Sequence, residues 1–153
     1  MKIYIIIPTY NEKKNIEKLI RQIFNLGIKN LCVLVVDDNS PDGTGEAVED
    51  IKKEFSSLDI IHREKKLGLG TAYVAGFTKA LSEGADFIFE MDADFSHDPS
   101  YISKILEAAS ENDLVLGSRY IPGGGAKNWN FFRRCISRFG NLYAQIILSV
   151  PIK

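Results

Sequence analysis

Two acidic residues stand two positions apart directly after a short apolar run. The run Phe87–Met91 has the length and composition of a buried strand, and Asp92-Ala93-Asp94 follows it. Because residues i and i+2 of an extended chain point the same way, both carboxylates can face one point. Converging carboxylates repel each other unless a cation lies between them, and Mg²⁺ or Mn²⁺ with open positions for substrate phosphates suits such a pair. A solvated turn that ends the strand is the alternative, since Asp is common in turns.

A second acidic pair, Asp37 and Asp38, directly follows the apolar run Leu31–Val36. A carboxylate at a strand end can accept hydrogen bonds from a nucleobase N–H or a ribose hydroxyl. A turn is the alternative here too, and for Asp42-Gly43 the turn is the preferred interpretation.

Basic residues are concentrated at the carboxyl end of the chain. Arg119 follows the apolar run Leu114–Leu116, and a guanidinium suits bidentate contact with phosphate. Arg133 and Arg138 lie near the start of a predicted helix that begins at about Phe131. The helix dipole disfavours cations there, so an anion held by both dipole and guanidinium would explain them. A solvated basic face on an amphipathic helix is the alternative.

The charge balance of the chain supports the interpretation that the basic carboxyl-terminal segment contacts an anion. The whole chain has 19 basic and 20 acidic residues, yet residues 119–153 have no acidic residue. The basic residues of this segment are Arg119, Lys127, Arg133, Arg134, Arg138 and Lys153. This asymmetry favours contact with phosphates or an anionic lipid surface over packing against the acidic remainder.

Apolar runs alternate with helical patterns along the chain. This alternation determines where the acidic and basic side chains lie in the fold. Strands are predicted at Ile3–Ile7, Leu31–Val36, Asp59–His62, Phe87–Met91 and Leu114–Leu116. Helices are predicted between them, the first ending at Gly27 and a later one capped by Asp98. Such alternation indicates an α/β fold with a parallel sheet covered on both faces. Ligands bind beyond the carboxyl ends of strands in such sheets, so the acidic pairs should share one edge.

Length and composition set further bounds. The 153 residues can bury a core without disulfides, and 45% hydrophobic and 25% charged residues are ordinary for a globular protein. Cys32 and Cys135 fit no metal or redox spacing, which favours a reducing compartment. No apolar stretch has the length of a signal peptide or membrane span.

Six motifs, taken together, resemble one family. They are Ile-Pro-Thr-Tyr-Asn-Glu (7–12), Val-Asp-Asp-Asn-Ser-Pro-Asp-Gly-Thr (36–44), Leu-Gly-Leu-Gly-Thr-Ala-Tyr (67–73), Met-Asp-Ala-Asp-Phe-Ser-His (91–97), Gly-Ser-Arg-Tyr (117–120) and Asn-Trp-x-x-x-Arg-Arg-x-x-Ser-Arg (128–138). The ordered set resembles family 2 glycosyltransferases with the GT-A fold, and within them the polyprenol-phosphate mannosyltransferases. The resemblance implies a Rossmann-like α/β/α sandwich with a mostly parallel central sheet.

The resemblance implies a metal-dependent enzyme. It would transfer mannose from GDP-mannose to a polyprenyl (dolichyl) phosphate with inversion, using Mg²⁺ or Mn²⁺. It would be cytoplasmic and peripheral at the cytosolic face of an anionic membrane, with no nucleic-acid partner. A metal can neutralise the charge of a departing nucleoside diphosphate, and an acceptor phosphate ionised near neutral pH needs no strong base.

The resemblance also implies roles for individual residues. It implies contact with the nucleoside for Pro8, Tyr10, Glu12, Asp37 and Asp38. It assigns to the metal Asp92, Asp94 and Ser96, with the backbone of Ala93 close by; Ser96 matches a position that is often Gln. It assigns to the phosphates of donor or acceptor Arg119, Arg133 and Ser137. The catalytic candidates are Asp92, Asp94 and Arg119.

One departure from the family is expected to matter. Family members continue past the Val-Pro-Ile motif, whereas this chain ends at Val150-Pro151-Ile152-Lys153. We therefore expect one GT-A catalytic domain over residues 1–153, truncated at its carboxyl end. The alternatives are a transferase using a UDP-sugar, a non-catalytic nucleotide-binding module, and a haloacid-dehalogenase-type phosphatase with Asp92 as nucleophile and Asp94 as acid.

Overall fold

Four parallel strands form the sheet in this computed structural model, which describes residues 1–118 and 131–149. They are β1 (Ile3–Thr9), β2 (Leu31–Asp37), β3 (Leu58–His62) and β4 (Phe87–Glu90). Their order across the sheet is β3-β2-β1-β4, and every pair of neighbours is parallel. The predicted parallel sheet is confirmed, with each of these strands within two residues of its predicted bounds.

Helices follow the strands as the apolar spacing predicts. They are α1 (Lys13–Phe24), α2 (Thr44–Lys52), α3 (Leu69–Ser82), a 3₁₀ helix (Pro99–Tyr101) that leads into α4 (Ile102–Ala109), and α5 (Phe131–Leu148). Gly27 adopts a positive φ of 64° after α1, which is the left-handed geometry of a helix stop. The side chain of Asp98 accepts a hydrogen bond from the Ser100 N–H at 2.9 Å, so the predicted cap is confirmed.

The sheet separates two apolar layers. Odd-numbered residues of β1, such as Ile5, pack with α1, α2 and Ile102 of α4 on one face. Even-numbered residues, such as Ile6, pack with Ala72 and Ala80 of α3 on the other face. This alternation follows from the two-residue period of a strand. The result is the expected α/β/α sandwich.

The predicted fifth strand at Leu114–Leu116 is wrong. These residues have no regular secondary structure, and Leu114 and Leu116 are exposed. Three apolar residues match the pattern of a buried strand, but a strand also needs a neighbour with which to form its ladder. In the part of the chain that the structure describes, the sheet has four strands and none of them pairs with these residues.

The chain divides into two compact units, Met1–Glu111 and Asn112–Lys153. The first unit contains the sheet with α1 to α4, and the second contains α5. The single catalytic domain expected over residues 1–153 stays a prediction.

Candidate functional site

The two acidic pairs lie at the same edge of the sheet. The chain passes from β1 to β2 and β3 on one side and returns to β4 on the other side of β1. The β1–β4 boundary is therefore a topological switch point, where parallel sheets bind ligands. Thr9 of β1 pairs with Asp37, and the Met91 N–H donates to the Ile6 carbonyl at 3.1 Å. With β1 between them, β2 and β4 run about 10 Å apart.

Asp37 is held on the face of the sheet that carries α1 and α2. Its Oδ1 accepts hydrogen bonds from Thr9 Oγ1 at 2.8 Å and from Ser40 Oγ at 2.6 Å. Its Oδ2 accepts from the Ser40 N–H at 3.0 Å. The side chain is buried, so these bonds fix its orientation from β1 and from the loop after β2.

The Asp38 side chain makes its contacts on the opposite face of the sheet, where α3 lies. Its Oδ1 lies 2.7 Å from Arg63 Nη1, an ion pair whose angles fall outside those of a hydrogen bond. Its Oδ2 accepts from the Leu67 and Gly68 N–H groups at 3.1 and 3.2 Å. Asp38 therefore fastens the loop before α3, and its predicted contact with a nucleoside stays a prediction.

The remaining nucleoside candidates lie at the end of β1. Pro8 pairs with Val36 in the sheet and is half-buried. Glu12 is the residue before α1, and its carboxylate accepts a hydrogen bond from Asn15 Nδ2 at 2.9 Å. The Glu12 N–H donates to Thr44 Oγ1 at 3.0 Å, which ties the start of α1 to the start of α2.

Tyr10 presents an exposed ring at this edge. The Nζ of Lys66, from the loop between β3 and α3, lies 3.7 Å from the ring centroid. This is a cation–π contact between two loops that follow different strands. It places a positive charge beside the acidic edge, in the loop that Asp38 fastens.

Asp92 and Asp94 occupy a tight turn after β4. Asp92 is half-buried, and its Oδ1 lies 3.4 Å from the Tyr73 hydroxyl, while its N–H donates to His97 Nδ1 at 3.2 Å. Asp94 is exposed, and its Oδ1 accepts from the Ser96 N–H at 2.8 Å. That backbone hydrogen bond holds the pKa of Asp94 below its ordinary value, so this carboxylate is ionised at neutral pH.

The chemistry of this turn fits a divalent cation with open positions. Within residues 1–118 and 131–149, neither Asp92 nor Asp94 forms a salt bridge. No group of three or more His, Cys, Asp or Glu side chains suited to a metal occurs among the described residues. Two carboxylates match a hard cation that takes its other ligands from water and substrate phosphates.

A cleft of about 320 Å³ opens beside the end of β2. Its charged lining comprises Asp37, Glu46, Glu49, Asp50, His62 and Arg63. His62 Nε2 lies 3.0 Å from Glu49 Oε1. The excess of carboxylates suits a group that donates hydrogen bonds, such as a base N–H, better than a phosphate.

The structure does not test the three phosphate-binding candidates. Arg119 lies outside the described residues. Arg133 and Ser137 lie on α5, in the second unit. Their proposed roles remain predictions from the resemblance.

Two residues in contact with the site received no role from the sequence. Arg63 follows β3 directly, and its contact with Asp38 spans two strand ends. Tyr73 ends the motif 67–73, but nothing in the motif shows that its hydroxyl reaches Asp92. The sequence feature that could have identified Arg63 as a site residue is its position directly after a predicted strand.

Comparison with known proteins assigns the chain to a family. The family model for glycosyl transferase family 2 matches residues 4–151. The chain belongs to glycosyl transferase family 2. This membership leaves the phosphatase alternative without support.

Relatives in this family match over almost the whole chain. An undecaprenyl-phosphate mannosyltransferase from Micrococcus luteus is 44% identical over 99% of the chain and 62% of its own length. A polyprenol monophosphomannose synthase from Mycolicibacterium smegmatis is 41% identical over 97% of the chain and 56% of its own length. A dolichol-phosphate mannosyltransferase from Pyrococcus furiosus is 40% identical over 97% of the chain and 42% of its own length. The family 2 chain thus spans less than two thirds of each of these relatives.

Solved glycosyltransferases share the fold. A mannosyltransferase from Pyrobaculum calidifontis, in complex with GDP-Man and Mn²⁺, gives a TM-score of 0.52 at 28% identity over 61% of this chain and 27% of its own. S. aureus TarS in complex with UDP-GlcNAc gives 0.55 at 25% identity over 69% of this chain and 32% of its own. These likenesses agree with the GT-A fold expected of the family.

Proposed function

We propose that this family 2 chain is the nucleotide-sugar-binding part of a polyprenol-phosphate mannosyltransferase. It would transfer mannose from GDP-mannose to a polyprenyl phosphate with inversion. The observation that carries the proposal is the position of Asp37 and of the Asp92–Asp94 pair on either side of the end of β1. The names of the relatives support mannosyl transfer to a polyprenyl phosphate.

The acidic pair after β4 would hold the cation. Asp92 and Asp94 would be its protein ligands, with Ser96 close by and its N–H orienting Asp94. A bound Mg²⁺ or Mn²⁺ would neutralise the charge that grows on the leaving diphosphate. The Mn²⁺ in the Pyrobaculum calidifontis complex supports a divalent cation in the fold.

The nucleoside would lie at the ends of β1 and β2. Asp37 is buried and oriented, so one of its oxygens can accept from a ribose hydroxyl or base N–H without an entropic cost of ordering. The acidic cleft beside it favours guanine, which offers more N–H donors on its edge than uracil does. Pro8, Tyr10 and Glu12 would border the nucleoside from β1.

In the reaction, an acceptor phosphate oxygen would attack the anomeric carbon from the face opposite the diphosphate. The bond between that carbon and the diphosphate oxygen breaks, and its electron pair leaves with the nucleoside diphosphate. No proton needs to move, because a phosphate monoester is ionised near neutral pH. Arg119, Arg133 and Ser137 would hold the phosphate groups.

Contact with an anionic membrane surface is part of the proposal. Among the α5 side chains that the structure describes, eight large apolar ones are more than half exposed, and Arg133 and Arg138 are exposed as well. This combination is typical of helices that lie at a lipid interface. No helix in the described residues is long and apolar enough to span a bilayer.

Nucleotide binding can be tested by thermal unfolding with GDP or UDP, each with and without Mn²⁺. We expect the largest stabilisation with GDP plus Mn²⁺ and its loss in Asp94→Asn. Stabilisation by UDP alone would replace the GDP donor with a UDP-sugar, and no shift with either nucleotide would contradict the proposal. Transfer of labelled mannose to a polyprenyl phosphate then distinguishes an enzyme from a binding module.

A further inference from the structure

The Tyr73 side chain reaches from α3 to the acidic turn after β4. Its ring packs with the core layer that contains Ile6 and Ala72, and its centroid lies 6.1 Å from that of Phe77. Its hydroxyl lies 3.4 Å from Asp92 Oδ1. The ring is thus held by apolar packing in a position that directs the hydroxyl at one carboxylate oxygen.

The two-residue period of β4 explains why Tyr73 meets Asp92. Ile88 packs on the α3 face of the sheet, and continued alternation puts Glu90 and Asp92 on the same side. A phenol O–H donates and a carboxylate oxygen accepts, so in this contact Tyr73 is the donor and Asp92 the acceptor.

Asp92 is held from two directions. Tyr73 addresses Oδ1 from α3, and the Asp92 N–H donates to His97 Nδ1 within the turn. Among the described residues, no hydrogen bond or salt bridge of this chain engages Asp92 Oδ2. A carboxylate fixed at one oxygen and open at the other is the arrangement of a metal ligand with an outer hydrogen-bond partner.

We propose that Tyr73 is a positioning residue that orients the Asp92 carboxylate for a divalent cation. Its hydroxyl would donate to Oδ1 and present Oδ2 to the ion. The inference rests on the proposed function for the presence of the cation. It gives a residue of α3 a role at the proposed metal site.

The test is Tyr73→Phe, which removes the hydroxyl and keeps the ring. We expect the Kd for Mn²⁺, measured by the electron paramagnetic resonance of free Mn²⁺ with GDP present, to rise about tenfold or more. Tyr101→Phe removes the hydroxyl of an exposed tyrosine and should leave the Kd unchanged. Unfolding of the metal-free chain in urea should show the same midpoint for Tyr73→Phe as for the native sequence.

A double-mutant cycle separates positioning from a general loss of structure. In an Asp92→Ala background, Tyr73→Phe should change the Mn²⁺ Kd little, because Ala has no side-chain oxygen to accept the hydrogen bond from Tyr73. Additive effects of the two substitutions would overturn the inference.

The outcomes distinguish this inference from the proposed function. If the native chain binds Mn²⁺ and Tyr73→Phe binds it equally well, the role of Tyr73 is refuted and the proposed function stands. If neither the native chain nor any variant binds Mn²⁺ with GDP present, the metal site itself is refuted, and the inference with it.

Discussion

Arg63 and Asp38 form a buried ion pair between the ends of β3 and β2. Arg63 Nη1 lies 2.7 Å from Asp38 Oδ1, and the two side chains are 9% and 7% exposed. Arg63 also donates through Nη2 to Thr71 Oγ1 at 2.7 Å, in the first turn of α3. The pair therefore joins two strand ends and one helix start at the edge where the candidate site lies.

Removal of one partner should destabilise the fold strongly. Arg63→Met leaves the Asp38 carboxylate buried without its countercharge, so we expect a loss of about 3–5 kcal/mol in the free energy of unfolding. Urea denaturation of the native chain and of Arg63→Met measures this loss. Lys53→Met removes an exposed ion pair with Asp50 and should shift the midpoint little. Equal effects of the two substitutions would show that burial of the Arg63 pair does not matter.

The close packing of α3 on the sheet predicts that a larger side chain at position 76 destabilises the fold. A Cβ added at Gly76 would lie 2.5 Å from Ile6 Cγ2. We expect Gly76→Ala to cost about 1–3 kcal/mol by overpacking, measured by denaturant unfolding. Gly70→Ala, on the same helix with no atom within 4 Å, should be neutral or stabilising by up to about 1 kcal/mol. Ile6→Ala, which removes Cγ2, should therefore cost less stability in the Gly76→Ala background than in the native chain, and equal costs in the two backgrounds would contradict this account.

Asp59 of β3 predicts a pH dependence. Burial alone would raise its pKa, but hydrogen bonds from Lys52 of α2 and Lys79 of α3 outweigh burial and lower the pKa to about 2. Because the folded pKa is depressed, its stabilisation is present above the ordinary pKa of about 4 and is lost as pH falls towards 2. Asp59→Asn should therefore cost stability at pH 7, by about 1 kcal/mol since the side chain is 39% exposed.

Unfolding of both forms across pH 2–7 checks the sign of this effect. The difference between the native chain and Asp59→Asn should stay constant above about pH 5 and shrink below about pH 4. Asp50→Asn, whose exposed partner is Lys53, is the matched control and should show little difference at any pH. A difference for Asp59→Asn that grows on acidification would refute the assignment.

The proposed lipid contact of α5 predicts a charge-dependent binding to vesicles. Arg133→Gln with Arg138→Gln should weaken co-sedimentation with vesicles containing anionic lipid, by about 1 kcal/mol for each charge removed. Lys104→Gln on α4 removes one basic residue outside α5 and should have little effect. Binding of the native chain to neutral vesicles as strong as to anionic ones would remove the electrostatic part of the proposal.

Local patterns predicted the elements of the first unit. The apolar runs gave β1 to β4, the helical spacing gave α1 to α4, and Asp98 gave the cap before the 3₁₀ helix. Each of these features depends on neighbours a few residues away. The predicted strand at Leu114–Leu116 failed because a strand depends on a distant partner that a three-residue pattern does not reveal.

The arrangement of the site depends on contacts between distant residues. β1 pairs with β4 across some eighty positions of sequence, and this pairing sets Asp92 beside the end of β1. The contacts that hold Asp37 and Asp38, and the approach of Tyr73 to Asp92, also follow from packing between elements.

The sequence by itself determined the residue types, the strand and helix pattern and the family, because these depend on local order along the chain. Tertiary structure decided which carboxylates are held, from which face, and by which partners. Strand order and helix packing bring together residues far apart in sequence, and hydrogen bonds act only over about 3 Å.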